Sequence, residues 1–149
     1  MKIFQNKGLE FASGIFHALN WDSDFSEKDL EELVAEARKS QKNKARFCLH
    51  PLASDVLQVT VLAFVSPYSD LVHKHPHRPE VIFPIRGKAT HQTFDKGGTS
   101  VKSVLLDSDN PTLLSTAAHT WHSLDVQSSE FAMIEIGTGP FQQDSTVFK

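Results

Sequence analysis

The chain has 149 residues, enough for one domain with a true core and short for two. Its apolar fraction of 40% excludes wholesale disorder. A formal charge of −3 with no cluster of lysine and arginine excludes the footprint of a nucleic-acid or anionic-membrane binder. One cysteine, Cys48, rules out an internal disulfide framework and suits a reducing compartment. The first residues lack an apolar core with a small-residue cleavage site, and no run has the length of a membrane span, so the cytoplasm is the expected location.

Residues 1–25 show no clear period and are read as an extension in which Phe4, Phe11, Ile15 and Phe16 pack on the body as a short strand or turn. Ser26 and Asp29 stand at capping-box spacing, and Leu30, Leu33, Val34 and Ala37 follow at helical spacing. They predict a helix over 27–40, acidic in its first half and basic in its second, as the helix dipole favours. Beyond it the period changes. Residues 56–65 are β-branched and apolar and stop at Ser66-Pro67, which predicts a buried strand. Further strands are expected over 81–86, 89–94, 101–106, 112–115, 122–126 and 131–136, separated by turn-forming residues. Strands at roughly 8–12-residue spacing argue for an all-β sandwich or barrel. The reading is one body over 26–149, a helix and then a barrel.

His73 and His75 are two apart, so on an extended strand they face the same way. Glu80 follows within a short turn, and His122 opens a later strand. Three imidazoles and a carboxylate make an N3O donor set suited to one divalent first-row metal ion, and iron, manganese, zinc and nickel all fit it.

The series His73, His75, Glu80, Gly87 resembles the first motif of the cupin superfamily, and Ala117 to His122 resembles a degenerate second motif, with Ala117 and His119 where proline and glycine are usual. Further features place the resemblance with the WbuC-type cupin metalloproteins. They are Lys44 to His50, Arg86-Gly87, Phe94-Asp95, Gly97-Gly98, Trp121-His122, and the tail Ile134 to Phe141 with Asp144. The resemblance runs from about residue 26 to the C-terminus. It implies a cupin fold, a double-stranded β-helix or jelly-roll barrel with an N-terminal α-helix. It also implies His73, His75, Glu80 and His122 as metal ligands, although some cupins hold metal with three histidines alone. Cys48 replaces a usual asparagine, Gly137 a usual lysine, and Pro84 interrupts a strand that must therefore be bulged or locally at an edge.

His50 is read either as a pocket residue, a catalytic candidate, or as a histidine capping a loop. Glu135 is the second catalytic candidate if it points into the barrel. His77, His119 and Arg86 are assigned to the pocket mouth or to support of the ligands, with solvated arginine the plainer reading of Arg86. Trp121 should point away from the metal, Cys48 should be a small buried hydrophobe, and His17 and His91 carry no signal.

The resemblance implies a metal-dependent enzyme acting on a small polar metabolite such as a sugar or sugar-nucleotide, in an isomerase- or epimerase-like reaction within polysaccharide biosynthesis. An Fe(II)-dependent dioxygenase and a non-catalytic small-ligand-binding or regulatory module are the alternatives, because fold and ligands do not select a reaction. The expected partners are a small molecule and a second copy of the chain, a homodimer formed by covering strand edges.

Overall fold

The first strands of the chain are β1 (Ile3–Phe4), β2 (Gly8–Ala12) and β3 (Ile15–Ala18), and they precede the helix α1 (Glu27–Lys39). Then come β4 (Lys44–Cys48), β5 (Leu57–Val65), β6 (His73–Lys74), β7 (Glu80–Arg86) and β8 (Lys88–Phe94). The series closes with β9 (Ser100–Asp107), β10 (Leu114–Thr116), β11 (Trp121–Val126), β12 (Glu130–Thr138) and β13 (Val147–Phe148). The structure is a computed structural model that describes residues 2–142 and 145–149; Asp144, quoted above, lies outside the described residues. Among the described residues no helix is long and apolar enough to cross a membrane.

The strands form two sheets, β1-β2-β3-β4-β5-β12-β7-β10 and β13-β6-β11-β8-β9. The larger sheet has an apolar layer on each face, because β5 and β12 are buried on both sides. Val61, Ala63, Val65 and Ala132 pack with Phe16, Phe47, Leu33 and Val34 beneath α1. Leu62, Phe64, Phe131 and Met133 point the other way, toward Ala89, Leu106 and Leu124 of the smaller sheet. This second layer is the inside of the barrel, and the fold is the all-β jelly roll with one N-terminal helix that the sequence predicts. A cavity of about 420 Å³ lies under α1, lined by Phe25, Leu30, Val59, Ile85 and Ile134, on the face of the sheet away from the barrel interior.

The helix begins where its capping box does. Ser26 Oγ accepts from the Asp29 backbone N–H, and the Asp29 carboxylate accepts from the Ser26 N–H at 2.7 Å. The same carboxylate, 2% exposed, accepts from Lys7 Nζ at 2.7 Å, which ties the N-terminal strands to the helix. Burial pushes the Asp29 carboxyl up, but the Lys7 and Ser26 hydrogen bonds outweigh it and hold it below its ordinary 3.8. Asp29→Asn is therefore expected to cost about 1–3 kcal/mol near neutral pH. That contribution is complete above the ordinary carboxylate value and lost as pH falls through the lower folded value. Denaturant melts from neutral to strongly acidic pH should show the gap between wild type and variant closing on the acid side.

Pro84 confirms the expectation of a bulge. Opposite it, β12 passes from Ala132↔Arg86 to Met133↔Pro84, leaving Ile85 unpaired. On the other side β10 reaches only as far as Leu114↔Ile82, so Pro84 loses no ladder bond there. Two segments read poorly from sequence are strands: Lys44 to Cys48, which pairs with β5, and Ile15 to Ala18, which pairs in parallel with β4.

Candidate metal centre

Side-chain register along β5 and β12 grades the barrel interior from apolar to polar. The rows run Phe131↔Phe64, Met133↔Leu62, Glu135↔Thr60 and Gly137↔Gln58, and Glu80 of β7 lies opposite Gly137. The polar end is where the smaller sheet delivers its histidines. His73 is the register partner of His122 across β6 and β11. Two residues along, His75 faces the same way, as the alternation of an extended chain requires. One ligand atom from each of His73, His75 and His122 lies within 4.8 Å of the others. The His73 and His122 ring centroids are 4.3 Å apart.

All three rings are held by the same device. His73 Nδ1 is 2.7 Å from the Leu71 carbonyl oxygen, His75 Nδ1 is 3.0 Å from that of Ser145, and His122 Nδ1 is 2.8 Å from that of Thr120. A carbonyl oxygen only accepts, so each Nδ1 carries the proton and each Nε2 keeps its lone pair. Metal-binding histidines are oriented in this way.

Glu80 lies beside two of the three rings. Its side chain is buried, with one carboxyl oxygen 3.1 Å from His75 Nε2 and the other 3.9 Å from His122 Nε2. Nitrogen lone pairs facing carboxyl oxygens repel unless a proton or a cation lies between them. Burial, reinforced by the Glu135 carboxylate, pushes Glu80 well above the ordinary carboxylate range, against the pull of Arg78. Burial lowers His75, and burial with the neighbouring His73 and His75 rings brings His122 down to about 4. His75 and His122 are therefore neutral and able to ligate, and a divalent cation would keep Glu80 ionised. The donor set fits such an ion.

Beside this cluster stands a residue the sequence reading did not single out. The Arg78 guanidinium is 3.6 Å from both Glu80 and Glu135 and donates to Gln58 Oε1 at 3.2 Å. It occupies the space that a side chain at 137 would fill. A Cβ on Gly137 would fall 2.9 Å from Arg78 Cζ and closer still to Nη2. Among the described residues Arg78 Nε is buried without a partner. With His77 and Ser145, Arg78 also lines a cavity of about 170 Å³. The signal for it lay in the chain: a basic residue two before the candidate carboxylate, and a glycine where the resembled family carries lysine. His91 was missed too. Its ring stacks on His122 at 5.5 Å and 18°, with Nε2 buried and unpartnered, and burial holds it at about 4.

The remaining candidates fall in different places. Glu135 points into the barrel beside Arg78. His77 is exposed, with its ring 6.4 Å from that of His119, which takes a positive φ of 64° in the turn before β11. Arg86 is not at the pocket mouth. It pairs with Glu27, Glu31 and Glu130 and fastens α1 to the ends of β7 and β12, because the bulge in β7 leaves it on the helix side. His50 is buried against His17, ring centroids 5.3 Å apart, and groups with His17 and Cys48 rather than with the three clustered histidines. Trp121 lies beneath the ammonium groups of Lys74 and Lys149, at 4.6 and 5.2 Å, so it is neither a ligand nor a core residue.

Solved structures share this architecture. The capsular polysaccharide assembling protein CapF from Staphylococcus aureus superposes with a TM-score of 0.61 at 15% identity, over 73% of this chain and 32% of CapF. The oxalate decarboxylase of Lactobacillus farciminis, in a formate complex, gives 0.57 at 10% identity, over 73% of this chain and 32% of its own. KdgF from Halomonas sp. gives 0.53 at 14% identity, over 68% and 83%. The chain thus spans about a third of CapF and of the decarboxylase. At such identities the likeness shows the fold, which is that of the cupins. No curated protein matches the chain. Residues 25–106, more than half of the sequence, match the family described as a domain of unknown function, DUF6016, and the protein belongs to that family.

Proposed function

We propose that the protein is a metal-dependent cupin enzyme that moves a proton on a small, anionic, sugar-like metabolite, with His73, His75, Glu80 and His122 as ligands of one divalent ion. The observation that carries this reading is the convergence of three imidazoles, each locked through its Nδ1, with the buried Glu80 carboxylate beside His75 and His122. A bound ion supplies Lewis acidity toward a carbonyl or hydroxyl oxygen. The chain's own residues supply the rest. Arg78 holds an anionic group beside the ion, and its Nε, unpartnered among the described residues, gives a further donor. Glu135 is the carboxylate within reach of that group and serves as the general base. His50, enclosed with His17, is left out of this step. The likeness to a capsular polysaccharide assembling protein supports sugar nucleotides as the first compounds to test.

The test is proton exchange into deuterated water, with metal-loaded protein and a panel of nucleotide sugars and sugar phosphates. The reading expects exchange at a carbon next to a carbonyl or hydroxyl. In Glu135→Gln exchange should fall by about a hundredfold or more, as for loss of a general base, with metal content unchanged. No exchange with any compound overturns it. In that case, iron-dependent oxygen uptake would point to an oxygenase, and tight binding without turnover to a ligand-binding module. We expect a homodimer paired through strand edges such as β9, where Val101 and Leu105 are exposed; a monomeric mass at micromolar concentration contradicts this.

A further inference from the structure

A second group of side chains able to hold a metal lies on the inner face of the larger sheet, apart from the cluster of His73, His75 and His122. β3 and β4 run parallel with His17 opposite Cys48, so both side chains leave the sheet on one side. His50 follows two residues beyond Cys48. One ring nitrogen from each histidine and Cys48 Sγ all lie within 4.8 Å of one another. Cys48 and His50 are each 4% exposed, so the group is closed to bulk water except beside His17.

The His17 ring is held in the manner of the first site. His17 Nδ1 is 3.0 Å from the His50 carbonyl oxygen, so it carries the proton and leaves Nε2 bare. His50 Nδ1 accepts from the Val59 N–H at 3.1 Å and lies 3.2 Å from the Val59 carbonyl oxygen. Coordination through Nε2 would shift the ring proton to Nδ1, where it would face the Val59 carbonyl oxygen. The Cys48 sulfur already accepts a long hydrogen bond, 3.9 Å, from Thr60 Oγ1. Burial keeps His50 below the ordinary histidine range and therefore neutral.

We propose that His17, Cys48 and His50 form a second metal site, selective for a thiophilic cation and filled best by zinc. Two imidazoles and a thiolate make a softer set than three imidazoles and a carboxylate, so the two sites differ in preference. Three protein ligands also leave a tetrahedral ion one open position. Coordination replaces the thiol proton: the S–H bond breaks, the zinc–sulfur bond forms, and one proton passes to solvent per ion bound. No oxidant or reductant takes part.

Cobalt(II) is the probe, because a thiolate ligand gives it an intense sulfur-to-cobalt charge-transfer band in the near ultraviolet. The wild-type chain should show that band and bind two equivalents of cobalt or zinc. Cys48→Ser should lose the band and bind one equivalent fewer. His17→Gln, at a half-buried strand position where folding is little threatened, should weaken the thiolate-containing site at least tenfold. His122→Ala should keep the band, which separates this site from the three-histidine one. A wild-type protein without the band at saturating cobalt, or a band unaffected by His17→Gln, overturns the proposal.

Discussion

Replacing His122 by alanine is expected to reduce the affinity for the first-site metal by about a hundredfold or more, beyond the 10–100-fold that follows loss of a supporting hydrogen bond. His122 is the proposed ligand that joins the two halves of the cluster. It pairs with His73 on β6 and with Thr93 on β8, and it lies near Glu80 of the opposite sheet. Its removal leaves His73, His75 and Glu80, with the Thr120 carbonyl deprived of its donor. Calorimetric titration gives the affinity directly, and thermal melts give an independent reading. Metal at a hundred times its dissociation constant stabilises the wild type by about 2.7 kcal/mol, or roughly 5–11 °C for a chain of this size. With the second proposed site removed by Cys48→Ser in both proteins, His122→Ala should show almost none of that rise. An unchanged metal-dependent rise in His122→Ala would remove this residue from the ligand set.

The second large effect is on stability. Gly87→Ala is expected to cost about 3 kcal/mol or more and to lower the melting temperature by roughly 6–12 °C. Gly87 has a φ of +71°, where an L-residue is strained by roughly 1–2 kcal/mol. Strain is the smaller part. A Cβ there would press into the Glu130 carbonyl oxygen and Ser128 Oγ and stand 3.2 Å from the Glu130 carbonyl carbon. The obstacle is the backbone entering β12. Ser128 Oγ also accepts from the Lys88 N–H at 2.8 Å and donates to the Glu130 oxygen at 2.6 Å, so neither partner can retreat freely. Gly97→Ala is the control: that position has an ordinary φ, and its nearest neighbour is Asp95 Oδ1 at 3.4 Å. The control should melt within about a degree or two of wild type, as surface substitutions usually do.

This motif glycine shows why so much could be read from the sequence. The spacing from His73 to Gly87 is local, so strand alternation and turn chemistry alone place His73 and His75 on one face. The α1 boundaries follow from Ser26 and Asp29 in the same way, and the observed helix ends one residue earlier than read. What could not be read depends on pairing between distant segments. His17 lies in a four-residue strand with no pattern of its own, and only its parallel register with β4 brings it to Cys48. His91 gains meaning from stacking on a ring some thirty positions away. Arg86 looked like part of the motif because it adjoins Gly87, but the bulge beside Pro84 turns it toward the helix. Arg78 was hidden in plain view, since a loop arginine in a basic stretch reads as solvated until the gap over Gly137 shows where it goes.

Most direct among the tests is an X-ray absorption spectrum of the Cys48→Ser protein carrying one equivalent of cobalt(II), with the thiolate ligand removed. The account predicts about three imidazole nitrogens, recognisable by the multiple scattering of their rings, with the remaining positions filled by oxygen from Glu80 and water. A first shell of oxygens alone, or one containing a single imidazole, would contradict it.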